Sequence, residues 1–239
     1  MTKYIDRYYL NWELYGIKFA EPGWQPGANT VAYYPLNWDI LDHKGDYWIS
    51  WTTYNLSVVV WTPAYVSSFE SGKVAFNSQA SWTSTWWCTL QASCSAANFT
   101  WDFTISFCAR LDANTNDYAT FVSNRIISDF KWMCSVNSSL EFLFHWSMQY
   151  PSWQILVLGT RYNITCTVIS NHYYIYINWT CVKDWAYSYT NASPSVINIW
   201  QWNWTAERIN WCVCEVIVDW EWWDATKALD RAKYLWFAN

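Results

Sequence analysis

The chain has 239 residues, of which 53% are hydrophobic and only 14% charged, enough for one sizeable domain that buries most of its apolar surface. A formal net charge of −5 gives no basic footprint for nucleic acid, and polar residues interrupt every apolar run before the ~20 residues a membrane span needs. The opening Met-Thr-Lys-Tyr-Ile-Asp-Arg lacks the apolar stretch of a signal peptide.

In chain order, residues 4–10 and 14–19 read as a hairpin about Asn11-Trp12. Glu21-Pro-Gly-Trp-Gln-Pro-Gly27 is a turn-rich linker, so residues 1–28 are expected as hairpin plus linker and 29–239 as one domain. From Val31 onward short strands recur between Asn, Ser, Thr and Asp clusters. In 102–108, Phe103, Ile105 and Phe107 alternate with Asp102, Thr104 and Ser106. In 162–168, Tyr162, Ile164, Cys166 and Val168 alternate with Asn163, Thr165 and Thr167. Repeated period-two patterning predicts an all-β, two-sheet antiparallel sandwich with one buried and one wet face per sheet. Only the tail reads as helix. Asp224 is a plausible N-cap, and Ala225, Ala228, Leu229, Ala232 and Leu235 recur at helical spacing.

The turns are spelled oddly. Asn-Trp occurs at Asn11-Trp12, Asn37-Trp38, Asn178-Trp179, Asn203-Trp204 and Asn210-Trp211, where a β-rich chain normally writes Asn-Gly. The favoured two-residue hairpin turn needs φ > 0, which glycine accepts and tryptophan resists. The chain carries 23 Trp and only 6 Gly, against average glycine usage near ~7%. Many of these tryptophans are therefore expected to stand where the native protein has glycine, as a codon such as UGA would produce if read as Trp in one code and Gly in another. The alternative is a genuinely Trp-rich chain with an aromatic binding surface. The eight Cys contain no C-x-x-C pair, and Cys212 and Cys214 would point to opposite faces of a strand, so core packing or codon misreading is expected rather than a disulfide framework.

Several stretches together resemble a concanavalin A-like, laminin-G-like jelly-roll domain. Val31-Ala-Tyr-Tyr-Pro-Leu-Asn-Trp-Asp39 followed by Asp42-His-Lys-Gly45 is similar to that family's opening strand and turn. Phe69 to Phe76, Phe103 to Arg110, Tyr174 to Val182 and Trp211 to Val218 resemble later strands in the family's order, and the terminal helix resembles its last element. The resemblance covers about residues 30–237 and departs from the family mostly by Trp, Arg or Cys at expected Gly positions. It implies a jelly-roll sandwich with a short C-terminal helix, a scaffold that binds glycans or proteins through rim loops and the concave face.

The superfamily also contains laminarinase-type glycoside hydrolases, whose retaining chemistry needs two carboxyls about 5–5.5 Å apart. The nearest match, Glu215-Val-Ile-Val-Asp-Trp-Glu221, has the wrong first spacing. Asp219 and Glu221 sit at a strand end where charges are usually solvated, so no enzyme is expected. No cofactor is expected either. Asp112, Asn114, Asn116 and Asp117 are hard oxygen ligands of the kind calcium takes, but Asp117 replaces the Gly of an EF-hand loop and Ser123 its final Glu, and a polar hairpin loop is the favoured reading over a calcium site. His43, His145 and His172 have no ligand spacing. A pyranose stacks its apolar face on Trp or Tyr and takes hydrogen bonds at its edge. The ligand-facing candidates are Tyr150 and Trp153 in one stretch and Tyr187 and Tyr189 in another; the competing reading, that they cap the core or are plain loop residues, carries more weight. Trp146 and Trp185 are left out as recoding candidates. The expected function is noncatalytic glycan or cell-surface ligand recognition on an extracellular, cell-surface or virion protein. A structural appendage that binds no sugar is the competing reading, and a hydrolase the third.

Overall fold

The computed structural model describes residues 4–10, 13–20, 26, 28–44, 52–60, 64–70, 73–77, 89–97, 102–113, 119–124, 132–146, 148–170, 172–178, 180–186, 195–199, 211–221, 223, 224, 226–228 and 230. Its strands are β1 (Tyr4–Leu10), β2 (Glu13–Ala20), β3 (Thr30–Tyr34), β4 (Ser57–Val60), β5 (Ala64–Glu70), β6 (Lys73–Asn77), β7 (Thr89–Ser93), β8 (Phe103–Leu111) and β9 (Ala119–Ser123). They continue with β10 (Met133–Val136), β11 (Glu141–Trp146), β12 (Met148–Ile155), β13 (Arg161–Ile169), β14 (His172–Ile177), β15 (Thr180–Ala186), β16 (Val196–Ile199) and β17 (Trp211–Asp219). β1 and β2 form their own hairpin. The rest divide into a seven-stranded sheet, β12-β11-β10-β9-β16-β7-β4, and an eight-stranded sheet, β15-β14-β13-β8-β17-β6-β5 with β3 also on β17. The fold is an all-β antiparallel sandwich, as the period-two patterning predicts. Among the described residues no helix is long and apolar enough to cross a membrane.

Aromatic and aliphatic side chains from the two inner faces make one core. Phe107 on β8 meets Phe121 on β9 at 5.6 Å between ring centroids, Phe121 meets Trp211 on β17 at 5.3 Å, and Phe144 on β11 meets Tyr173 on β14 at 6.0 Å. Cys134 and Cys166 bring their sulfurs to 3.9 Å across the same space. Six of the described cysteines are buried and Cys181 is exposed, in line with a role in packing. Trp211, expected beside a turn, instead opens β17 and is fully buried against Phe76 and Phe121.

The outer face of the eight-stranded sheet corrects the expectation of a wet surface. Thr104, Ser106, Thr165 and Thr167 point away from the core, yet all are buried. Their hydroxyls pair across β8 and β13, Thr104 with Thr167 at 2.8 Å and Ser106 with Thr165 at 2.9 Å. The chain leaving β17 then crosses above them. The Trp223 N–H donates to Thr104 at 3.1 Å and to Thr167 at 3.0 Å, and the Thr104 hydroxyl donates to the Glu221 carbonyl at 2.8 Å. Polar side chains tolerate burial when partnered in this way. Trp223 packs on Tyr33 and Ile217 as a second small cluster. Residues 226–228 and 230 are helical, and the Asp224 carboxylate accepts the Lys227 N–H at 2.8 Å, the N-cap bond expected of it. Ala225, Leu229, Ala232 and Leu235 lie outside the described residues.

Two of the five Asn-Trp pairs fall in tight hairpin connections, and Asn203-Trp204 lies outside the described residues. Register pairs Leu10 with Glu13 and Ile177 with Thr180, leaving two residues in each connection. Asn178 has φ of 52° and Trp38 has φ of 103°.

Candidate functional site

Each sheet ends in a strand with one free edge, and at one side of the sandwich those strands are β12 and β15. Their Cα atoms approach within 8 Å of one another. This juxtaposition brings together stretches far apart in sequence. Tyr150 and Trp153 lie on β12, where Tyr150 pairs in register with Phe144. Tyr187 and Tyr189 lie outside the described residues, directly after β15 ends at Ala186.

β15 contributes two residues that the sequence reading passed over. Lys183 and Trp185 sit opposite Ile175 and Tyr173, both core residues, so both project on the side of β15 that looks toward the other sheet. Lys183 is buried with its ammonium 4.6 Å from the Trp185 ring centroid, while Trp185 stays 54% exposed. A lysine stem laid along apolar surface with its charge on an indole face is a favourable cation–π arrangement. The signal was present in the sequence, since a Lys two residues before a Trp on a strand shares its face. Trp185 had been left out as a recoding candidate, yet it lies in a regular strand pairing and is not among the residues with positive φ. Nothing in its backbone asks for glycine.

On the opposite face of the same strands, Asp184 reaches His172 at 3.3 Å, and the His172 ring stacks 6.4 Å from Tyr174. Burial, reinforced by the negative groups of Cys181, Tyr174, Asp224 and Asp184, pushes the Tyr176 phenol up to about 12. The edge therefore presents an exposed indole with a cation on one side and a His–Asp pair on the other.

At the other sites considered in the sequence, the described carboxylates are engaged with neighbouring side chains. Both Asp112 oxygens are taken by Arg110, at 2.6 and 3.0 Å, and the Cys212 thiol donates to the same carboxylate at 3.2 Å. That hydrogen-bonded pair raises the Arg110 guanidinium above its ordinary value, and burial pushes the Cys212 thiol up. A carboxylate so neutralised is a poor calcium ligand; Asn114, Asn116 and Asp117 lie outside the described residues. Among the described residues no group of three or more His, Cys, Asp or Glu is placed to hold a metal. Asp219 and Glu221 both engage Lys227, Asp219 accepts the Trp223 indole N–H at 3.0 Å, and Glu221 accepts from Asn29 at 2.6 Å. The two carboxylates clasp the C-terminal segment to the sheet. Burial raises the Asp219 carboxyl and lowers the Lys227 ammonium. Asp42 is buried and accepts three backbone N–H groups, from Tyr33 at 3.0 Å, Lys44 at 3.0 Å and Tyr54 at 2.9 Å. It organises the loop after β3, where His43 pairs with Asp39 at 3.0 Å.

No protein-family model matches the chain, and no curated protein does. Solved structures do match, botulinum neurotoxin binding domains among them. The binding domain of Paraclostridial Mosquitocidal Protein 1 superposes with a TM-score of 0.68 at 14% identity, over 87% of this chain and 53% of that one. A botulinum neurotoxin type C structure, described by cell entry that depends on interaction with two ganglioside molecules, gives 0.66 at 12% identity over 88% and 52%. The binding domain of botulinum neurotoxin DC in complex with rat synaptotagmin II gives 0.67 at 14% over 88% and 52%. The chain thus spans about half the length of these solved neighbours, and the likeness is one of β-sandwich fold.

Proposed function

We propose that this chain is a noncatalytic recognition module, a laminin-G-like jelly roll that binds carbohydrate at the β12–β15 edge and works as part of a surface or appendage protein. The observation that carries the reading is the exposed Trp185 ring held by Lys183 at the meeting of the two edge strands. An indole offers the flat apolar surface on which a sugar ring stacks, and the ammonium beside it supplies a donor for ring hydroxyls or an acidic substituent. Tyr150 and Trp153 on the facing strand, and Tyr187 and Tyr189 after β15, are the further ligand-facing groups. The reading draws support from solved neighbours that are themselves binding domains, two of them described with ganglioside or a protein receptor.

The domain occupies residues 29–239, with residues 1–28 as a hairpin and linker suited to attachment on a larger surface or virion assembly, in an extracellular or cell-surface setting. A glycan array probed with the parent protein and with Trp185→Ala tests the reading. Binding to one class of immobilised glycan, lost in Trp185→Ala while thermal stability is kept, is the expected result. Absence of binding to every carbohydrate would transfer the assignment to a structural appendage. Release of reducing sugar from β-glucan, abolished by Asp219→Ala, would make it a hydrolase.

A further inference from the structure

Two kinds of tryptophan are present, and backbone geometry separates them. Trp132, Trp211 and Trp223 are fully buried, and none has positive φ. Trp211 packs edge-on against Phe76 and Phe121, and Trp223 donates its indole N–H to Asp219. These positions use an indole. Trp38 is different: it is 64% exposed and its φ is 103°. The other described non-glycine residues with positive φ fall between 47° and 61°, in the left-handed well near ~57° that side chains can visit. Trp38 lies far beyond that well, where a Cβ is resisted and glycine is at ease.

Two further Asn-Trp pairs fall between strands that pair as hairpins. The connections at Asn11-Trp12 and Asn178-Trp179 are two residues long by register, and Asn178 already takes the left-handed φ of 52°. Among two-residue hairpin turns, type I′ is the one that Asn at the first position favours, and it has positive φ at its second residue as well, which is why Asn-Gly dominates there. We infer that positions 38, 12 and 179 are glycine in the protein its natural host makes, the three being written by a codon that host reads as glycine. The inference is independent of glycan binding, but it decides which exposed indoles can take part in recognition. Trp38 drops out, whereas Trp185 on its regular strand remains.

Mass spectrometry of the protein isolated from its natural source tests this on the tryptic peptide from Phe19 to Lys44, which contains position 38. Fragment ions that place glycine at 38, with tryptophan retained at the buried position 211 in its own peptide, are the expected result. Tryptophan at 38 overturns the inference, and so does glycine at 211, because recoding would then ignore the backbone. An independent check uses recombinant protein: Trp38→Gly is expected to unfold at higher denaturant than Trp38→Ala, and the reverse order overturns the claim that this corner demands glycine.

Discussion

Replacing Trp38 by glycine and, separately, by alanine isolates the backbone effect, because both substitutions remove the same indole. The lost contact with Tyr65, at 5.7 Å and 44° between rings, is a tilted aromatic pair worth ~0.5–1.5 kcal/mol, and it cancels in the comparison. What remains is the Cβ. At an ordinary position glycine is less stable than alanine by roughly 0.5–1 kcal/mol, because it loses more backbone freedom on folding. In left-handed backbone a Cβ costs roughly 1–2 kcal/mol, and φ of 103° lies outside the well for which that figure holds, toward the glycine-only region. The two terms oppose each other, and the steric one is larger, so Trp38→Gly should exceed Trp38→Ala by about 1 kcal/mol. Urea unfolding followed by intrinsic fluorescence reads this directly. With m between about 1 and 3 kcal/mol per molar, the midpoints should differ by a few tenths of a molar or more, with unchanged slope. Trp185→Gly and Trp185→Ala serve as the control pair on a regular strand and should fall in the opposite order. Alanine equal to or above glycine at position 38 would refute the argument from backbone strain.

Trp211→Ala removes a fully buried indole from the junction of the two sheets and should cost ~3–5 kcal/mol; a loss below about 1 kcal/mol in urea unfolding would show that Trp211 does not knit the core. Asp219 is buried, and burial raises its carboxyl above the ordinary 3.8. The folded state therefore holds that proton more tightly than the unfolded chain. Its contribution is fully present below 3.8 and is lost as pH rises through the raised folded value. Asp219→Asn should flatten the decline of unfolding free energy over that acid-to-neutral window, and an unaltered slope would remove Asp219 as its source.

Strand periodicity carried most of the fold because burial writes itself into a strand with period two. β8 and β13 were legible from Phe103, Ile105, Phe107, Ile164, Cys166 and Val168, all of them fully buried. The same rule misjudged the opposite face. Period two says which residues share a side, not whether water reaches that side, and Thr104 and Thr167 read as solvent-facing until Trp223 was seen to lie across them. The covering segment is more than fifty residues away from either threonine, so no local pattern records the contact. At Asn210-Trp211 the second residue is a strand residue whose indole the core claims, and Asn210 lies outside the described residues.

The candidate edge was half legible. Aromatic stretches on β12 and after β15 stood out by composition, but the approach of the two strands depends on each being the last described strand of its sheet on the same side of the sandwich. Order within a sheet comes from long-range pairing, to which spacing along the chain is blind. The recoding argument hides Trp185, although it spares Trp153, and with Trp185 set aside nothing singles out Lys183. Backbone conformation refines that argument into a physical criterion. A tryptophan is suspect where φ forbids a side chain, as at position 38, and credible where the strand is regular, as at position 185. Applied this way, one anomaly of composition separates into corners that want no side chain and an edge where an indole can meet a ligand.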